Sequence, residues 1–333
     1  MNFSAAEIQL LASLDKAMIE NTATDRESLE SNGKWFWVFL EQWSAAFASL
    51  AAKGLIEGDE RNIRLTEAGA PFAKAYNRER PDLYWHFYEK FYPAAYASEA
   101  HSRLCERVFG KDLCQDGQVD MVALEDLLGR LDLGPNEHLL DLGCGTGVIA
   151  RFISDRTGVK VTGLDFASSA IAEAKRRTQN DGSRVTYLQG DINSLDFPAQ
   201  SFDAAISLDT LYWVTDLTDT LTHISRIVKP GGQLGLFMEQ SLREGEAAEI
   251  LEAGNTDLAR ALSRLGLVYE IYDYTAQNAA FWRRLRQAAN DLREKFEAEG
   301  NGFIAQSLIK QAKEFLPAIE AGRITRYFYH VHL

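Results

Sequence analysis

The sequence predicts an α/β protein. A seven-stranded, mostly parallel sheet carries helices on both faces, and a smaller helical unit precedes it. Three observations lead there. From residue 137 onward, short apolar runs alternate with helix-patterned stretches, the rhythm of parallel strands joined by crossover helices. A glycine-rich run, LLDLGCGTG at 139–147, closes the first of those strands. Ahead of both, residues 5–76 are patterned mostly as helix.

Composition bounds the function classes. The 333 residues leave room for two domains, and 46% hydrophobic with 25% charged residues suits a chain that buries a core. A net charge of −13, from 35 basic and 48 acidic residues, argues against a sequence-independent grip on nucleic-acid phosphates. The N-terminal stretch MNFSAAEIQLLASLDKAMIE lacks the basic start and unbroken apolar run of a signal peptide. No apolar run approaches the roughly 18 residues of a membrane span. The expected address is therefore the cytoplasm. The three cysteines form no CxxC pair, which speaks against a disulfide framework or zinc site, and no metal is expected.

The first domain is expected over 1–80. Its second half orders a helix ending near Lys53 with Gly54 as C-cap, a strand LIEG, a charged turn DERN, a strand IRLT, and a helix capped by Thr66. Helix, hairpin, helix resembles a winged-helix unit. Its own charge is slightly negative, and the helix KWFWVFLEQWSAAF is crowded with rings. A DNA-groove helix would present Arg, Lys, Asn or Gln instead. A cap or a dimerisation module is the expected role, with a homodimer through this unit as one outcome.

Residues 81–135 are expected to form a helical bridge, opening on the ring-rich PDLYWHFYEKFYPAAY. Its rings recur at helical spacing, with an interruption expected at Pro93. Then follow strands HLLDLG, KVTGLDF, VTYLQGD, FDAAISLD, GQLGLFME and VYEIYDYT within a domain over 136–333. A helical insertion is expected at about 276–322, and RYFYHVHL closes as an antiparallel strand in the sheet's edge region. Arg283, Arg284 and Arg286 of the insertion read as a solvated face.

The chemistry-bearing residues cluster at strand ends. Asp141 precedes Gly143, Gly145 and Gly147, and glycines let the backbone turn sharply and approach a ligand closely. The spacing is tighter than the G-x-G-x-x-G of dinucleotide enzymes, and a leading carboxylate suits a cationic ligand better than a pyrophosphate. Asp165 ends the next strand, where an acid can accept both hydroxyls of a ribose. Asp191 ends the third, with Ile192 placed to pack on an adenine ring. Asp209 ends the fourth, and KPGG at 229–232 turns into the fifth.

Taken in order, these pieces resemble the class I S-adenosylmethionine-dependent methyltransferases over roughly 137–275. The resemblance implies a Rossmann-like domain with S-adenosylmethionine as cofactor. It implies Asp141, Gly143, Cys144 and Gly145 at the methionine end, Asp165 with Phe166 at the ribose, and Asp191 with Ile192 at the adenine. Asp209 and Leu211 would border the sulfonium. The bridge segment 96–120 resembles the cap that folds over the cofactor in a small-molecule subgroup. Tyr96, Ser98, His101 and Gln115 are its candidates for the methionine end, with local backbone satisfaction as the alternative for His101 and Gln115.

A sulfonium carbon is already activated, so catalysis is mainly alignment and desolvation of the nucleophile. Tyr212, Asp209 and Tyr96 are the candidate catalytic residues, Tyr212 as a hydrogen-bonding or ring-stacking group. His223 reads as structural. The expected reaction is methyl transfer to a small molecule. The alternative is a cyclase in which the cofactor's own amine attacks its γ-carbon, giving azetidine-2-carboxylate and methylthioadenosine. A winged-helix regulator sensing S-adenosylmethionine is the non-enzymatic alternative.

Overall fold

A computed structural model describes the chain except residues 20, 34–41, 80–82 and 179–183. Residues 34–41 of the expected ring-crowded helix thus lie outside the described residues. The chain divides into two compact units, 1–91 and 92–333.

The first unit contains α1 (Ala5–Ile19), α2 (Arg26–Gly33), α3 (Trp43–Ala52), β1 (Ile56–Asp59), β2 (Asn62–Leu65), α4 (Ala70–Glu79) and the start of α5 (Leu83–Ala97). The strands pair antiparallel, Ile56 against Leu65. Helix α3 stops at Lys53, and Gly54 supplies the left-handed φ of +68° that ends it. Thr66 Oγ1 accepts from the Gly69 N–H (3.1 Å), closing the turn into α4. Leu10, Leu14, Trp43, Leu50 and Ile63 form the core. The interruption expected at Pro93 does not occur. Helix α5 runs on to Ala97, giving up only the hydrogen bond that proline lacks.

The second unit continues from Tyr92 through α6 (Glu99–Phe109), α7 (Met121–Leu131), β3 (His138–Leu142), α8 (Val148–Thr157), β4 (Lys160–Asp165) and α9 (Ser168–Thr178). Next come β5 (Val185–Gln189), β6 (Phe202–Leu208), α10 (Leu217–Ile227), β7 (Val228–Ser241), α11 (Asp257–Arg264) and β8 (Val268–Asp273). The insertion is α12 (Thr275–Asp291), α13 (Arg293–Ala298) and α14 (Gly302–Glu320), and β9 (Ile324–His332) follows it.

Among the described residues, the seven strands of this unit form one sheet in the order β5-β4-β3-β6-β7-β9-β8. Pairs from β5 through β7 are parallel. Strand β9 runs antiparallel between β7 and β8, which leaves β8 at the edge with Val268 70% exposed. The closing strand is thus antiparallel in the edge region, one place in from the edge itself. Its composition explains this: Tyr327, Phe328, Tyr329 and Val331 are buried on both faces, as an internal strand requires.

Alternate residues of β3 face two cores. Leu139 packs with Leu127, Ile153, Phe237 and Phe328, while Leu140 and Leu142 pack with Leu221, Ile224 and Leu236. The chain moves outward from β3 to β5, then returns to β6 on the other side of β3. Crossovers leave β3 and β6 in opposite directions there, which opens a crevice at their carboxyl ends. Among the described residues, no helix is long and apolar enough to cross a membrane, and no group of three or more His, Cys, Asp or Glu is arranged to hold a metal ion.

Candidate active site

The glycine loop leaves β3 at that crevice. Gly143, Gly145 and Gly147 take φ of +79°, +53° and +72°. A methyl added to Gly143 would stand 2.2 Å from Thr210 Oγ1, and one added to Gly147 would stand 2.1 Å from the Tyr187 ring. Both positions are closed to a side chain by space as well as by backbone angle. The loop is pinned to β4. The N–H groups of Gly143 and Cys144 both donate to Leu164 O (2.8 and 3.0 Å), and Tyr187 Oη donates to Gly147 O (2.8 Å). Cys144 turns its thiol inward against Gly163 and Tyr187, so only its backbone is presented to a ligand. Burial, with Asp165 and Asp141 nearby, pushes that thiol far above its usual range.

Asp141 is 2% exposed, and no described residue donates a hydrogen bond to its carboxylate. Burial, then the charge of Asp165, pushes its pKa up to about 7. Asp165 is better held: Oδ2 accepts from Gly145 N–H (2.8 Å) and Oδ1 from Ala167 N–H (2.9 Å). Phe166 follows it half-buried. Asp191 Oδ1 accepts from the backbone and side-chain nitrogens of Asn193 (2.8 and 2.9 Å), and Ile192 packs beside it on the core.

The loop after β6 is tied more tightly than its sequence shows. Asp209 takes a φ of +61°. Its carboxylate faces Arg326 of β9, with Nη1 2.6 Å from Oδ1 and Nη2 3.0 Å from Oδ2. Oδ2 also accepts from Gln118 N–H (2.7 Å). Tyr212 Oη accepts from Glu239 N–H (2.7 Å) and lies 3.4 Å from Asp209 Oδ1. Burial, with the Asp209 charge beside it, drives the Tyr212 phenol well above its ordinary range. Leu211 turns into the core at 1% exposure rather than toward the crevice.

The bridge residues divide. Ser98 caps α6, accepting from His101 N–H (3.0 Å) and donating to Glu299, which also accepts from Ala100 N–H (3.0 Å). His101 is buried against Cys105, and burial lowers its pKa to about 4, opposed by Asp112. Gln115 Oε1 accepts from Leu113 N–H (2.8 Å). These three side chains thus hold the bridge together. Tyr92 reaches the glycine loop instead, and Tyr96 is linked to it through Arg177. The Tyr92 ring lies 3.0 Å from a methyl built on Gly145. Tyr96, 39% exposed, lies under the Arg177 guanidinium at 5.0 Å, and Arg177 also donates to Thr146 O.

Sequence reasoning missed Arg326, Glu239, Asn278 and Gln118. Arg326 had a signal, a lone cation in an aromatic strand. Glu239 had a weaker one, an acid at the end of a parallel strand. Arg284, expected on a solvated face, pairs with Asp120 (3.0 Å), and Arg283 pairs with Glu320. His223 stands near Asp219 on α10, away from these groups.

Comparison with known proteins agrees with this geometry. A family model described as a methyltransferase domain matches residues 140–236. The malonyl-[acyl-carrier protein] O-methyltransferase of Serratia marcescens is 34% identical over 129 residues, 39% of this chain and 48% of that protein. The matched stretch spans only 29% to 48% of the length of three such curated relatives. Among solved structures, Haemonchus contortus phosphoethanolamine N-methyltransferase 2 superposes with a TM-score of 0.60 at 20% identity, over 74% of this chain and 60% of that one. The cyclopropane synthase MmaA2 from Mycobacterium tuberculosis gives 0.59 at 16% identity, over 74% of this chain and 98% of that one. Residues 140–236 thus match a methyltransferase domain, and the second unit around them has the fold of the class I, S-adenosylmethionine-dependent methyltransferases.

Proposed function

We propose that the chain binds S-adenosylmethionine at the glycine loop and transfers its methyl group to a small molecule. The observation that carries this is Asp141, a buried carboxylate at the loop that no described residue satisfies. An ammonium group placed there would meet it, as a buried charge requires. Asp165, a buried carboxylate at the end of β4 held against the glycine loop, suits ribose hydroxyls, and Asp191 with Ile192 suits an adenine amino group and ring. The cofactor would supply a methyl carbon already activated by its sulfonium. The residues of this chain hold and shield it. Tyr92 and Tyr96 cover the loop against water, and the Asp209–Arg326 pair fixes the neighbouring wall.

Titration calorimetry with S-adenosylhomocysteine tests the binding, with Asp141→Asn expected to abolish or greatly weaken it. Mass spectrometry of S-adenosylmethionine incubated with the protein alone separates two reactions. An unchanged cofactor supports transfer to a separate acceptor, and methylthioadenosine with azetidine-2-carboxylate would establish the cyclase instead. The first unit we assign a capping or dimerisation role, and sedimentation of 1–333 against 92–333 would show whether it joins two chains.

A further inference from the structure

Beside Asp209 lies a group of polar side chains that this reading does not use. Glu239, near the carboxyl end of β7, is 9% exposed and pairs in register with Arg326 of β9. Arg326, however, gives its Nη2 hydrogen bond and its Nη1 ion-pair contact to Asp209. Glu239 is left to the amides: Asn278 of α12 donates through Nδ2, and the Gln118 side chain donates as well. Each amide that turns its N–H to Glu239 turns its oxygen away. Asn278, itself 2% exposed, has Oδ1 buried with no donor, and Gln118 Oε1 is buried in the same condition.

Among the described residues, unpaired acceptors outnumber unpaired donors here: against the two amide oxygens stands one buried N–H group, Arg326 Nη1, which touches Asp209 as an ion pair without a hydrogen bond. Two carboxylates, Asp209 and Glu239, share one guanidinium. Two amide oxygens, on side chains that both bind Glu239, are buried without donors. A buried acceptor left unpaired costs about 1–3 kcal/mol, so two on adjacent side chains are expensive unless something donates to them. A neutral hydroxyl brings one donor and no charge. A protonated primary or secondary amine brings two or three donors and the missing positive charge.

The group also stands at the proper place. Tyr212 Oη binds the Glu239 N–H, Tyr212 lies beside Asp209, and Thr210 between them packs on Gly143 of the glycine loop. We propose that Glu239, Asn278 and Gln118 form the acceptor subsite and select a small primary or secondary amine: the bound ammonium passes one proton to the Glu239 carboxylate, the freed nitrogen lone pair forms the bond to the methyl carbon, and the bond from that carbon to the sulfonium breaks to leave S-adenosylhomocysteine. The proposal rests on the methyl-transfer reading above and deepens it.

Thermal unfolding of the full chain, with and without S-adenosylhomocysteine, tests it directly. The probes are methylamine, ethanolamine and benzylamine, against the matched alcohols and tetramethylammonium, which has charge but no N–H. Amines are expected to raise Tm where the other probes do not. Glu239→Gln and Asn278→Ala should weaken amine binding by roughly tenfold or more, the loss of one hydrogen bond to a charged group. Glu239→Gln should also leave the ligand-free protein at least as stable as before, because its new N–H can meet an orphaned amide oxygen. If it fails to fold, Gln118→Leu serves as the second variant. No amine shift, an equal shift by alcohols, or a shift that survives these substitutions would overturn the subsite. Failure of S-adenosylhomocysteine to bind would instead overturn the cofactor reading, since the amine shift is also read without it.

Discussion

Arg326 grips Asp209 with both terminal nitrogens, across 117 residues of sequence and with almost no solvent on either side chain. Burial works against the charge of the Arg326 guanidinium, but Asp209 and Tyr212 beside it hold its pKa well above the ordinary value. The pair joins the loop after β6 to the internal strand β9, and through Gln118 N–H it also fixes the bridge segment. Breaking it leaves a lone buried carboxylate. Arg326→Met should cost about 3–5 kcal/mol. Urea unfolding would read that loss, and Arg326→Met combined with Asp209→Leu should recover part of it.

Asp141 couples the binding site to pH. Its pKa rises from 3.8 unfolded to about 7 folded, first through burial and then through Asp165. A raised carboxyl stabilises the fold fully below the unfolded value. That contribution declines as pH climbs through the folded value and is gone above about 7. Ligand-free stability should therefore fall on this account as pH rises from about 4 to 7, and Asp141→Asn should flatten the profile there. Cofactor binding below pH 7 should release a proton. Calorimetry in two buffers of different ionisation enthalpy would count it.

Two glycines with similar backbone angles should respond differently to alanine. Gly54 (φ +68°) has open space where a methyl would go, so Gly54→Ala should cost about 1–2 kcal/mol from backbone strain alone. Gly147 (φ +72°) would drive its methyl into the buried Tyr187 ring. Overpacking adds about 1–3 kcal/mol to the same strain. The difference should show as a lower denaturant midpoint for Gly147→Ala, with S-adenosylhomocysteine affinity falling only in that variant.

Glu299 should behave as a cap supplied from a distance. It receives Ser98 Oγ–H and the Ala100 N–H at the start of α6. Glu299→Ala should cost about 1 kcal/mol, a cap's usual worth, and hydrogen exchange should accelerate first at the head of α6. Glu299→Gln should restore most of the protection.

What the sequence revealed was local. The glycine loop, the strands that end in Asp141, Asp165 and Asp191, and the cap at Gly54 each depend on neighbours a few residues away. Their chemistry is written in consecutive letters. The partners of Asp209 are not. Nothing near LDTLYWV announces an arginine more than a hundred residues on, and Asn278 carries no mark that separates it from a surface asparagine. The bridge candidates show a related difficulty. Ser98, His101 and Gln115 are polar residues that a sequence reader assigns to a ligand, but each finds a partner inside its own segment. Pro93 shows the converse case, a local breaker overruled by the helix around it.

Strand β9 is made after both strands it joins. During synthesis β7 and β8 must wait side by side with unpaired edges, and Asp209 waits without its cation. Residues 324–332 then close the sheet and neutralise the wall of the site in one event. A nascent chain stalled before residue 324 should therefore present two sticky strand edges, the point at which a chaperone has most to protect.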